Sequence, residues 1–138
     1  MPDNGTYVFD SCAVIALLQR EPGAEVVAEV LKDPGNRCLI HAVNACEVYY
    51  DIYRRAGEKD ASALEEILVT TGIELVGTIP AALWQTAGKL KAEWRRVSLA
   101  DCLALALALL EAGTLLTSDR HELDQIAQAA ICPIRFIR

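Results

Sequence analysis

Aromatic residues are scarce in this 138-residue chain, at 6%, so any core has to be built mainly from Leu, Ile, Val and Ala. Histidine is scarcer still: only His41 and His121 are present, which excludes the usual histidine-based zinc sites. The five cysteines, Cys12, Cys38, Cys46, Cys102 and Cys132, are scattered, odd in number and form no C-x-x-C pair. Reduced thiols packed as small hydrophobes are therefore expected, in place of disulfides or a zinc centre. Long apolar runs are missing too. The longest, Cys102 to Leu110, is flanked by Asp101 and Glu111 and falls far short of the roughly 20 residues of a membrane span. Met1-Pro2-Asp3-Asn4-Gly5 has neither the basic stretch nor the apolar core of a signal peptide, so a cytoplasmic protein without membrane attachment is expected. Positive charge is also short. Thirteen basic residues against 19 acidic ones give a net charge of -6, which excludes a uniformly basic nucleic-acid-binding surface and leaves room only for a local basic rim.

What the chain has is apolar sequence in short, punctuated blocks. Residues are 53% hydrophobic, enough for a sizeable core in one domain spanning 1–138. Apolar runs at 6–9, 37–41, 72–76, 114–117 and 134–137 read as strands. Between them, helices are predicted over 13–18, 24–32, 43–55, 59–70, 81–96, 99–112 and 121–130, with breaks at Pro22-Gly23, Asp33-Pro34-Gly35-Asn36, Gly57, Gly77 and Gly113. The segment 99–112 is apolar nearly all round, the mark of a helix buried inside the fold. Strand alternating with helix points to an α/β protein with a mostly parallel sheet covered on both faces.

Four acids stand at the ends of these blocks: Asp10, Glu47, Asp101 and Asp119. Each has a local explanation. Asp10 can cap the helix that follows it, while Asn44-Ala45-Cys46-Glu47, Ser98-Leu99-Ala100-Asp101 and Asp119-Arg120-His121-Glu122 all have capping-box spacing. Their joint placement suggests more. Asp10 ends the first strand and Asp119 follows the fourth, so both fall at one sheet edge if those strands are parallel, where ligands of α/β sheets bind. Asp101 opens an otherwise apolar helix, and a buried carboxylate is costly unless it is paired, hydrogen-bonded or bound to metal. Crowded carboxylates do not all stay ionised unless cations neutralise them, and oxygen donors suit a hard divalent cation.

The segments Val8-Phe9-Asp10-Ser11, Asn44-Ala45-Cys46-Glu47-Val48, Ser98-Leu99-Ala100-Asp101 with the small Ala106, and Leu116-Thr117-Ser118-Asp119 resemble, in order, the four acidic motifs of the PIN-domain family. More narrowly, the chain resembles its stand-alone VapC branch, the toxin half of bacterial and archaeal toxin–antitoxin pairs. It departs from that pattern at Cys12, where a small hydroxyl residue is common, and at Leu123, where an aromatic is common. The resemblance implies a three-layer α/β/α sandwich with a central, mostly parallel sheet of four to five strands. It also implies a Mg²⁺- or Mn²⁺-dependent endoribonuclease, a small antitoxin partner and a homodimer. Under that reading Asp10, Glu47, Asp101 and Asp119 are catalytic, with Asp10 and Asp101 as the central metal ligands, Asp119 contacting the metal directly or through water, and Glu47 either supporting the ligands or orienting water. Ser11 and Thr117 support them. Glu122 and Asp124 read as surface acids of the last helix. Arg54, Arg55, Lys89, Lys91, Arg95, Arg96, Arg120 and His121 are candidates for a phosphate-binding rim, Arg120 foremost because it adjoins Asp119.

Two rivals follow from the same residues. A phosphoacceptor receiver domain would need an Asp after a middle strand and a later Lys, which Gly72–Gly77 and Ile134-Arg135-Phe136 do not supply. A catalytically silent PIN-like scaffold that binds only a protein partner is the second.

Overall fold

The computed structural model describes residues 5–138; the first four residues, which enter the signal-peptide reading, lie outside it. Five strands, β1 (Thr6–Phe9), β2 (Arg37–His41), β3 (Ile73–Val76), β4 (Thr114–Thr117) and β5 (Ile134–Phe136), form one sheet in the order β3-β2-β1-β4-β5. Every pairing is parallel.

The inner strands β1, β2 and β4 are buried over all but their first residue because both sheet faces are covered there. Successive residues alternate between two cores, as the period of two requires. Tyr7, Phe9, Cys38, Ile40 and Leu116 enter one core, whereas Val8, Leu39 and Leu115 enter the other. The first core is closed by α1 (Ser11–Gln19), α2 (Ala24–Lys32), α3 (Ala42–Ala56), α4 (Glu58–Ser62) and α5 (Leu64–Thr71). The second is closed by α6 (Ala81–Glu93), α7 (Leu99–Leu110) and α8 (Arg120–Gln128). The result is the three-layer α/β/α sandwich. Helix α7 is buried continuously from Asp101 to Ala108, with Ala104, Ala106 and Ala108 letting neighbouring elements approach its axis. At its end Ala112 takes the left-handed conformation (φ +52°) and Gly113 donates its N–H to Ala108 O at 2.8 Å. Gly113 is required by space: a Cβ there would lie 2.8 Å from the backbone oxygen of Thr6.

Three of the differences from the sequence reading have a visible cause. The helix expected over 59–70 is two helices, because Ala63 N–H bonds to Asp60 O at 3.2 Å, a tightened turn that interrupts the axis. Helix α6 stops at Glu93, short of 96, as Lys91 Nζ donates to the carbonyls of Arg95 and Val97, both at 2.8 Å, and holds the chain in a turn. Helix α3 starts straight from β2: His41 Nδ1 accepts from Val43 N–H at 3.2 Å, so Asn44 is not its cap. All five cysteines are free, and Cys46 is exposed, contrary to the expectation of buried thiols. Among the described residues no helix is long and apolar enough to cross a membrane.

Candidate functional site

The strand order reverses between β1 and β4, the two strands whose carboxyl ends carry Asp10 and Asp119. A crevice opens at such a switch point. Asp10 is fully buried and caps α1, its Oδ1 accepting from Ala13 N–H at 2.9 Å. Its Oδ2 accepts from the Thr117 hydroxyl. Thr117 Oγ1 in turn accepts from Asp119 N–H at 3.0 Å, so one buried threonine ties the ends of β1 and β4 together. Asp119 caps α8 by accepting from Glu122 N–H at 3.1 Å. The capping explanation thus holds for Asp10 and Asp119, and each carboxylate oxygen still has a second lone pair.

Asp101 and Glu47 behave differently. Ser98 Oγ caps α7 by accepting from Asp101 N–H at 3.2 Å. In a full capping box the Asp101 carboxylate would take the Ser98 N–H in return. That N–H and the Ser98 hydroxyl instead favour the Glu122 carboxylate, reaching in from α8. Glu47 lies in the second turn of α3, beyond any cap, with a buried Oε1 that has no hydrogen-bond partner. Asn44, one turn earlier, is buried with an equally unpartnered Oδ1, and its Nδ2 reaches Ala100 O at 3.5 Å.

Carboxylate oxygens of Asp101, Asp119 and Glu122 all lie within 4.8 Å of one another. Two of the three expected ligands, Asp101 and Asp119, thus share a tight trio with Glu122, and Asp10 lies near enough for its charge to act on Asp101. Sequence spacing alone assigns Glu122 to the Asp119 box. The signal for its second role is the burial of Leu123 and Ile126, which turns this face of α8 inward.

Crowding and burial set the protonation of the cluster. Burial raises Asp10 from an ordinary 3.8 to about 7 against its hydrogen bonds from Thr117 and Ala13, and the charges of Asp119 and Glu47 add to the rise. Burial likewise raises Asp101, helped by its hydrogen bond with Glu122 and by the charges of Asp10, Glu122 and Asp119. Glu122 is lowered, first through that same bond with Asp101, then by Asp119 and Ser98. Glu47 is raised by burial, while the Ser11 hydroxyl works in the opposite sense. The Cys12 thiol is pushed up to about 12 by burial and then by Asp10, Asp101 and Asp119, so it sits among the acids as a neutral group. Five oxygen-donating acids and two orphaned buried oxygens make a set that a hard divalent cation satisfies.

The candidate rim separates. Arg54 and Arg55 pair with Asp51, at 3.7 and 2.8 Å. Lys91 is held by the carbonyls of its turn. Arg120, expected at the substrate, has its guanidinium 4.3 Å from the centre of the Phe136 ring and donates to Arg138 O at 2.8 Å. Arg95, Arg96 and His121 line a cleft of about 400 Å³ that includes Glu122.

A parallel α/β/α sandwich with an acidic cluster at its switch point defines the class. The family model for the PIN domain matches residues 7–129, and the chain belongs to the PIN-domain family. The sequence matches no curated protein. Among solved structures the fold is similar to that of VapBC-1 from nontypeable Haemophilus influenzae, at 20% identity and a TM-score of 0.70, covering 96% of this chain and 98% of that one. It is similar to VapBC2 from Rickettsia felis, bound to a DNA fragment from its promoter, at 18% identity and a TM-score of 0.73, with 95% and 98% covered. Mycobacterium tuberculosis VapC20, a sarcin–ricin loop cleaving toxin, matches at 16% identity and a TM-score of 0.66, with 86% and 94% covered.

Proposed function

We propose that this chain is a divalent-cation-dependent endoribonuclease and the toxin of a toxin–antitoxin pair. The observation that carries the reading is the convergence of Asp101, Asp119 and Glu122 within 4.8 Å, beside buried Asp10 and the unpartnered oxygen of Glu47. Membership of the PIN-domain family and the toxin named among the similar structures support it.

Asp10, Asp101, Asp119 and Glu122 hold the cation, with Thr117 fixing Asp10 by its hydroxyl. Mg²⁺ or Mn²⁺ bound there supplies Lewis acidity toward a phosphate oxygen and a more acidic water. Glu47, steadied by Ser11, accepts a hydrogen bond from the attacking water and aims it at phosphorus. A carboxylate at that place is effective because burial has raised its affinity for a proton. The remaining Asn44 amide oxygen orients a second water.

The partners follow from charge and surface. A small antitoxin covers the acidic crevice with an arginine, whose guanidinium matches paired carboxylates bidentately. A two-fold homodimer forms through α2 and α3, where Tyr49, Tyr50 and Tyr53 are 38%, 50% and 51% exposed.

Purified protein incubated with RNA should cleave it in Mg²⁺ or Mn²⁺ and not in EDTA, and expression of the chain alone should slow bacterial growth. Unchanged growth with metal-dependent cleavage in the tube removes the toxin role and keeps the nuclease. A silent scaffold would cleave under neither condition while still binding its protein partner.

A further inference from the structure

Beside the acidic cluster lies the cleft of about 400 Å³ that the cluster does not fill. Its volume is within the roughly 300–1,000 Å³ of small-ligand sites. One wall is the turn between α6 and α7, carrying Trp94, Arg95 and Arg96; the other is the face of α8 that carries His121, Glu122 and Gln125. Glu122 belongs to both cleft and cluster, so whatever occupies the cleft adjoins the reacting phosphate.

The turn is built to hold its shape. Trp94 N–H bonds to Leu90 O at 2.7 Å, Val97 N–H to Trp94 O at 3.0 Å, and Lys91 Nζ clamps two of its carbonyls. Ser98, next in the chain, engages Glu122. Trp94 is half-buried, packed in part against the second core, and its remaining surface lines the cleft. Arg95 and Arg96 are exposed, and among the described residues neither makes a salt bridge. Glu93 also lines the cleft, so two arginines face two carboxylates and phosphate attraction by itself is weak. The distinctive element is the indole. His121 and Gln125, one helical turn apart on the opposite wall, add groups that hydrogen-bond a base edge.

We propose that this cleft seats the unpaired nucleotide next to the scissile phosphate. Its base stacks on Trp94, Gln125 reads its edge, and Arg95 and Arg96 hold the flanking phosphates. The position next to the scissile phosphate rests on the nuclease reading; the stacking does not. A base inside a duplex is already stacked on its neighbours, so such a seat selects single-stranded RNA, whose bases can be splayed onto aromatic side chains.

The binding test uses the full chain carrying Asp101→Asn, which retains RNA uncut, and Trp84→Phe, which leaves Trp94 as the one tryptophan of two. The probes are oligo(A), oligo(C) and oligo(U) dodecamers and the A·U duplex. Saturable quenching of Trp94 by single strands, with at least tenfold weaker quenching by the duplex, is expected. In the chain with intact acids, Trp94→Leu and the exposed Arg96→Ala should each raise KM about tenfold, the scale of losing one stacked base or phosphate contact. Gln125→Ala should change the nucleotide preferred beside the cut. Thermal melts of each variant separate misfolding from lost contact, and Arg96→Ala keeps the test open if Trp94→Leu fails to fold. Absence of quenching by every single strand, or quenching by duplex as strong as by single strands, overturns the seat. So do wild-type KM and cut-site preference in all three variants. If the intact protein cuts no RNA, the nuclease reading fails, and the quenching result alone decides the cleft.

Discussion

At the scale of single residues, the site is a set of acids whose local duties leave their outer oxygens available. Thr117 illustrates the economy of the arrangement, since one hydroxyl donates to Asp10 and accepts from Asp119 N–H. Thr117→Val removes both bonds at a fully buried position, and the expected loss is about 1–3 kcal/mol in urea unfolding. Cation affinity should fall by roughly 10–100-fold, the usual effect of losing a group that orients a ligand. A variant as stable as the parent, with unchanged affinity, would assign Thr117 no such role. The raised acids also fix the sign of a pH effect. An acid whose folded pKa is raised binds its proton more tightly in the folded protein, so its stabilising contribution is complete below the ordinary value of 3.8 and is lost as pH climbs toward about 7 for Asp10. Asp101 moves in the same direction. Thermal melts in EDTA should therefore fall from pH 5 to pH 8, and added Mg²⁺ should restore more at pH 8 than at pH 5; a flat profile would contradict the clustering. The four acids were legible in the sequence only through their joint placement at the ends of apolar blocks, since each taken singly is explained as a cap. Glu122 was not, because its spacing from Asp119 already satisfies a capping box, and its meeting with Ser98 and Asp101 is a tertiary fact. Nor was the contact of Arg120 with Phe136 legible, because adjacency in sequence to Asp119 says nothing about where the side chain packs.

At the scale of elements, α7 carries Asp101 into the crevice and has to be seated closely against the sheet. Ala106 is fully buried there. Ala106→Leu should destabilise by about 1–3 kcal/mol through overpacking, read as a lower urea midpoint with an unchanged slope. Gly113→Ala should also destabilise, since its Cβ would meet the Thr6 backbone oxygen, which belongs to a central strand and cannot move aside. A Gly113→Ala protein of parental stability would show that β1 and the α7–β4 connection are less tightly joined than their geometry implies. The strands were readable to within a residue or two because turn residues bound each apolar run. Helix ends were less so. The break at Ala63 and the early stop of α6 depend on hydrogen bonds made by Ala63 N–H and Lys91 Nζ, and neither residue type forces a break.

At the scale of the whole molecule, the net charge of -6 means that the proposed nuclease would meet a polyanionic substrate through a small basic region and a cation in the crevice. The exposed tyrosines of α3 lie on the opposite side of the sheet from the core that α6, α7 and α8 close. Tyr49→Glu with Tyr53→Glu should convert a dimer to a monomer in light scattering; a wild-type monomer at micromolar concentration would remove the dimer. The most direct test of the carboxylate cluster is calorimetric titration of Mn²⁺ into the wild-type chain and into Asp101→Asn at pH 7.5. Saturable binding by the wild type, weakened at least about 100-fold by a change that preserves shape and removes one charge, is the expected result. Equal binding by the two proteins, or none by the wild type, would contradict a cation site built from Asp10, Asp101, Asp119 and Glu122.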